Sequence, residues 1–440
     1  MAAPVSPATT VKKTSTGSLV AARKHELPNG LVVILRPNRS TRSIGLRLMI
    51  RAGGAFDPPG ASGTAHFAAR LLDRGAGGLS GARLAEDFDA LGIGFDARAR
   101  LDSLDLTVRA LSRHLAFSLE RLHLLASSPD FPEDEVAGER ARILTELTER
   151  EQDTAAQADD LLCAGVFPAG HPYREPITGT RATVEPMTRA HLASFFAARG
   201  GPRGAVLGIA GDFDERDALE QVRRVFGTWT SRPGDPSPLP RATPLERASI
   251  VTRPIAGKTQ GDVAWGFTPQ IERLGGDLQA VMVMNSTLGD FGMGGRIGRS
   301  VREEAGLAYH ASSYVWAGLT AGPIVVRAGV APEGLRKAVA LMRTTVKEFL
   351  RRGPTPRELG DAKQALAAAI PRRFETNLGA AALLADSEYQ GLGFDFADRA
   401  PALIARIDKG AAIEAARRYV TPDQSVLVVA GPEVTEKELR

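Results

Sequence analysis

One cysteine, Cys163, is all the thiol chemistry this chain of 440 residues has. That excludes an intramolecular disulfide and any cysteine-based zinc site, and leaves Cys163 to be read as a small buried hydrophobe. Histidine is scarce too. There are seven, and no two stand four residues apart, so no helix offers the paired histidine face that a zinc helix uses. No apolar run approaches the ~18 residues of a membrane span. The 55 basic residues nearly balance 51 acidic ones, for a net charge of +4, and no long basic run occurs, so nucleic-acid binding is not inferred. What is present, 43% hydrophobic and 24% charged residues over a length sufficient for two to four domains, describes an ordinary globular protein.

Residues 1–24 are small, polar and rich in Pro, Ser and Thr. They lack the apolar stretch of a signal peptide and read as a flexible lead-in. Asn29-Gly30 predicts a tight turn, and strands are expected at 31–35 and 43–50. Asp57-Pro58-Pro59-Gly60 breaks the second strand. Ser62 or Thr64 is expected to cap the next helix, which carries His66, Ala69 and Arg70 near its start. A further helix over 79–91, stopped by Gly92, is followed by strands at 93–100 and 103–110. Helical spacing covers 115–127, and Pro132 opens a long charged helix through about 151. Residues 204–211 are a short buried strand.

The character changes at 231–249, where five prolines make a stiff polar linker. Beyond it the pattern repeats. The strand at 425–431 ends in Ala430-Gly431 as the earlier one ends in Ala210-Gly211, half a chain length away, and Pro356 opens a helix as Pro132 does. The expectation is a duplicated α+β fold, with units at 25–230 and 250–440.

Several stretches stand out: GGAFDPPGASGTAHFAARLLDRG from Gly53, ERARILTEL from Glu139, HPYREPITGT from His171 and GRIGRSVREEAGLAYHASSY from Gly295. In this order they resemble the pitrilysin/insulinase family of zinc metallopeptidases, the inverted zincins, over nearly all of 26–432. The resemblance implies two similar α+β units per chain and a chamber for unfolded peptides formed by two chains. The family's H-x-x-E-H supplies two zinc ligands and a general base. Here it reads His66-Phe67-Ala68-Ala69-Arg70. Ala69 cannot take a proton, and Arg70 has no lone pair for a metal. The family's third ligand falls at Glu146. The resemblance therefore implies a degenerate zinc site with no metal in this chain, and Arg70 is expected to pair with Glu146 in the ion's place.

In the second unit Arg302-Glu303-Glu304-Ala305-Gly306-Leu307-Ala308-Tyr309 matches the stretch whose Arg and Tyr serve substrate at the zinc centre in active members. Some bacterial members divide the labour between two chains. This sequence resembles the one that lacks zinc and supplies Arg302 and Tyr309 to a homologous H-x-x-E-H subunit. It would be a pseudoenzyme by itself and part of a zinc endopeptidase as a heterodimer, with the zinc in the partner. The alternative is a peptide-binding or scaffold pseudoenzyme without peptidase function. Glycines at 75–81 and 289–295 would let backbone approach an extended peptide, or are simply turns. The compartment stays open between bacterial cytoplasm and periplasm.

Overall fold

A computed structural model describes residues 12–13, 18–230, 239–290 and 295–439. The chain forms two compact units, each drawing on both halves of the sequence. Unit 1 is Met1–Leu144, Ile177–Pro238 and Ile370–Arg399; unit 2 is Thr145–Pro176, Leu239–Ala369 and Ala400–Arg440. These are not the continuous stretches 25–230 and 250–440 expected from the sequence. Residues 231–238 of the proline-rich linker and 291–294 of the second glycine-rich turn lie outside the described residues, as do most of 1–17. The lead-in is shorter than expected: the Asp398 carboxylate accepts from the Ser18 hydroxyl and, at 2.8 Å, from the Leu19 N–H.

In unit 1 the strands are β1 (Lys12–Lys13), β2 (Arg23–Glu26), β3 (Val32–Pro37), β4 (Ser43–Ile50), the ribbon β5 (Gly75–Ala76) with β6 (Leu79–Ser80), β7 (Gly94–Ala99), β8 (Leu104–Leu111) and β9 (Val206–Gly211). The main sheet runs β1-β2-β3-β9-β4-β8-β7, and only β3 and β9 are parallel. The central strands β4 and β9 are buried almost throughout, because helix Asn377–Tyr389 covers one face. It sits close because the strands present glycine. A Cβ on Gly45 would lie 2.3 Å from the Leu378 nitrogen, and one on Gly208 would lie 2.4 Å from the Ala381 carbonyl. The helix answers with Ala380, Ala381 and Ala385, all fully buried.

Unit 2 has β10 (Ser249–Pro254), β11 (Gly261–Phe267), β12 (Ala308–Val315), β13 (Ile324–Val330) and β14 (Ser425–Gly431), ordered β10-β14-β11-β13-β12. Strand for strand this repeats β3-β9-β4-β8-β7, with the same single parallel pair. The repeat reaches individual residues. Arg36-Pro37 stands opposite Ala210-Gly211, and Arg253-Pro254 opposite Ala430-Gly431. Gly211 and Gly431 have φ of 139° and 136°, and a Cβ at either would crowd a neighbouring carbonyl oxygen.

The covering helix is repeated as well. Thr154–Val166 lies on β11 and β14 as Asn377–Tyr389 lies on β4 and β9. An ion pair ties each helix to its sheet. Buried Arg47 on β4 bridges Asp105 (2.7 Å) and the helix residue Asp386 (3.0 Å); Arg327 on β13 meets the helix residue Asp159 at 3.1 Å. The tie is kept, acid on the helix and arginine on the sheet, while the strand that carries the arginine differs, β4 in one unit and β13 in the other.

Candidate functional site

The helix that carries the zinc-like motif is Thr64–Ala69, entered from the turn at 53–63. Neither expected residue caps it. Thr64 Oγ1 donates to the Ala61 carbonyl at 2.6 Å, and Gly63, at φ 95°, occupies the cap position. The cap is Asp57, whose carboxylate accepts from the N–H groups of Gly63 (2.8 Å) and Ala65 (2.7 Å). Burial pushes this carboxyl up to about 7, against the pull of those N–H groups.

His66 and Arg70, one turn apart, share the half-buried face, while Phe67, Ala68 and Ala69 point into the core. The Arg70 guanidinium pairs with Glu139, whose side chain is only 3% exposed and also accepts from Arg142 at 2.7 Å. Glu146 lies on the same helix, Glu133–Glu151, two turns further on, and is exposed. Glu139 is the residue that sequence reasoning missed. The signal was its heptad relation to Glu146, which puts both on one helical face.

Zinc does not fit this donor set. A cation that cannot give up its proton stands where the second ligand would be, and it already holds a buried carboxylate. Among the described residues, no group of three or more His, Cys, Asp or Glu is placed to hold a metal ion.

The second segment starts at Arg296–Gly298 and continues as a π-helical turn over Arg299–Glu304, pinned by fully buried Ile297 and Val301. Such turns are rare and concentrate at functional sites. Arg296 makes two parallel bonds to Glu358 (2.9 and 2.7 Å) and one to the Gly353 carbonyl. Glu358 also accepts from the N–H and hydroxyl of Thr355, which cap helix Pro356–Arg372. Arg296 and Thr355 together hold this carboxyl down to about 2, overcoming its burial.

Arg302 projects from the π-helical turn with its side chain 28% exposed, 3.4 Å from Glu303. Gly306, at φ 64°, then turns the chain into edge strand β12. There the ladder slips: Ala308 faces Val330 and His310 faces Gly329. Tyr309 is the extra residue of a β-bulge, and it is 89% exposed.

The other sequence landmarks are structural. His171 is buried: its Nδ1 accepts the Tyr173 N–H at 3.1 Å, and its Nε2 lies 3.1 Å from the Pro240 carbonyl. That pairing requires the neutral ring with hydrogen on Nε2, and burial lowers the imidazole's pKa accordingly. Stacking on Phe167 (4.7 Å) and of Tyr173 on Trp316 (5.6 Å) completes a core clasp. The glycines at 75–81 form the turn of the β5–β6 ribbon, with Gly77 and Gly78 at φ 57° and 80°. Cys163 is half-buried, and desolvation pushes its thiol up to about 12.

Two family models align with this arrangement. Residues 32–180 match "Insulinase (Peptidase family M16)", and residues 186–366 match "Peptidase M16 inactive domain". The chain belongs to the peptidase M16 family. Among its relatives, an uncharacterized zinc protease of Bacillus subtilis is 23% identical over 360 residues, covering 80% of this chain and 85% of that one. One of Streptomyces coelicolor is 27% identical over 345 residues, covering 77% and 74%. The M16 fold is shared with a solved Pseudomonas fluorescens "peptidase M16 inactive domain", at TM-score 0.87 and 24% identity over 94% of this chain and 99% of that one. A Helicobacter pylori protease gives a TM-score of 0.86 at 19% identity, over 93% and 99%.

Proposed function

We propose that this chain is a non-catalytic M16 subunit that completes the active site of a zinc-bearing partner of the same family, with Arg302 and Tyr309 as its contribution and unfolded peptides as substrate. One contrast carries the reading. The first unit lacks the base and a ligand and has Arg70 neutralising buried Glu139, whereas the second keeps Arg302 and holds Tyr309 at 89% exposure on a bulge. A phenol that serves this chain's own core would be buried; one that serves another molecule is exposed.

The chemistry follows from the groups. Arg302 is a fixed cation with a forked set of donors suited to a peptide carbonyl or carboxylate. Tyr309 supplies one O–H donor for the oxyanion of a tetrahedral intermediate. The partner's zinc would supply the activated water. The test is substitution in the assembled complex. Arg302→Ala and Tyr309→Phe should each abolish most peptide hydrolysis while assembly persists. Normal turnover in both would overturn the reading.

A further inference from the structure

Next to Tyr309, three strands of unit 2 align a row of residues with an unusual composition. Asp262 on β11 stands opposite Gly329 on β13, and Gly329 stands opposite His310 on β12. Asp262 is 2% exposed. Its Oδ2 accepts from Thr154 Oγ1 at 2.6 Å and from Gln260 Nε2 at 3.3 Å. Its buried Oδ1 has no hydrogen bond and faces the His310 Nε2 at 3.4 Å. A buried carboxylate oxygen without a donor is costly, so the imidazole N–H has a definite place to be.

The imidazole reaches that place by crossing the middle strand, and it crosses over a glycine. A Cβ on Gly329 would lie 2.4 Å from the His310 Cε1, 2.9 Å from its Nδ1 and 2.7 Å from Gln260 Nε2. Any side chain at 329 would therefore evict the ring. We propose that Asp262, Gly329 and His310 form a latch that selects the bulged register of β12 and so presents Tyr309 to the peptide. Two registers compete at this edge. With the bulge, His310 stands over Gly329 and Tyr309 is the extra residue. If the ladder instead ran on regularly from the Ala308–Val330 pair, Tyr309 would take the place opposite Gly329, and His310 would move to the other face of the sheet, since strand side chains alternate. Only the first gives Asp262 its partner. His310 is a positioning residue in this scheme, acting through Tyr309.

This inference deepens the function proposed above, and rests on it only for the use to which Tyr309 is put. Its test needs no partner and no substrate. The full chain is labelled with 3-fluorotyrosine, and the Tyr309 fluorine resonance is assigned by its loss in Tyr309→Phe. The remaining tyrosines report that the fold is intact. In His310→Ala and in Gly329→Ala the Tyr309 signal should shift or split into two, and in His310→Gln, whose amide can still donate to Asp262, it should return toward the wild-type position. Asp262→Asn, which keeps the shape and alters the acceptor, asks the same question should His310→Ala fail to fold. A Tyr309 signal unmoved in folded His310→Ala and Gly329→Ala, or in Asp262→Asn, overturns the latch. If the latch holds while Tyr309→Phe leaves peptide turnover unchanged, the functional reading fails and the latch stands.

Discussion

Set side by side, the two units part ways at one turn. In unit 1 the helix Gly81–Leu91 ends at Gly92, and Gly92-Ile93-Gly94-Phe95 leads into edge strand β7. In unit 2 Gly306-Leu307-Ala308-Tyr309 leads into edge strand β12. The glycines adopt the same left-handed conformation, with φ of 62° and 64°. From there the paths separate. Phe95 faces Val108 in a regular ladder and stacks on Phe88, seven residues earlier, with centroids 5.6 Å apart. The equivalent pair in unit 2 is Tyr309 and Arg302, and the ladder bulges at the tyrosine. One copy uses the two positions to close its own edge with apolar stacking. The other replaces a phenyl ring with a cation, adds a hydroxyl to the second ring, and turns it outward. A duplicated scaffold thus shows what the pair looks like when it serves only packing, and the departure from that state in unit 2 is what needs a function.

The largest expected effect breaks this comparison directly. Tyr309→Phe makes unit 2 like unit 1 and should lower peptide turnover of the complex by about 10²–10³-fold, the loss typical of one oxyanion donor. Phe95→Tyr should leave turnover unchanged; steady-state kinetics on a fluorogenic peptide reads both.

Next come the covering helices. Gly45→Ala drives a methyl into the Leu378 backbone, which cannot yield, whereas Gly266→Ala meets only the Leu162 side-chain tip at 2.8 Å. Denaturant unfolding should show a loss of about 3 kcal/mol or more for the first and about 1 kcal/mol for the second.

Third is the clamp of unit 2. Glu358→Gln keeps the shape and removes the charge that Arg296 holds, costing about 2–3 kcal/mol at pH 7. Since folding lowers this carboxyl from 4.5 to about 2, its contribution is full above about pH 4.5 and lost as pH falls through 2. The gap between wild type and variant should therefore close in acid, as urea melts at several pH values would record.

The fourth effect has the opposite sign. Folding raises Asp57 from 3.8 to about 7, so unit 1 binds this proton more readily when folded. Its stabilising effect is complete below about pH 4 and lost as pH rises through 7. Relative to Asp57→Asn, the wild type should gain stability between pH 8 and pH 4, measured by thermal melts.

Much of this was legible in the sequence because the signals are local. The strand Ser43–Ile50 and the helices Leu115–Ser127 and Glu133–Glu151 follow their apolar spacing and their Gly or Pro stops. The duplication showed itself in the paired Ala-Gly endings because the backbone there demands glycine. The two covering helices, Thr154–Val166 and Asn377–Tyr389, went unread. They are short, rich in alanine and weakly patterned, and they are specified by the glycines of the strands beneath them, far away in sequence. The same holds for the crossing of the units' boundaries.

At the site, the motif positions could be named, but two of the groups that meet them could not. Asp57 caps its helix from six residues upstream, outside the usual capping window, and Glu139 takes Arg70 from another helix. The bulge at Tyr309 depends on Gly329 and Asp262, which no reading of β12 alone contains.

The most direct test of the account is native mass spectrometry with metal analysis on the tagged chain purified from its own source. The account expects a complex of about twice the chain's mass, containing a second M16 chain with an intact H-x-x-E-H and one zinc. A metal-free monomer or homodimer would contradict it.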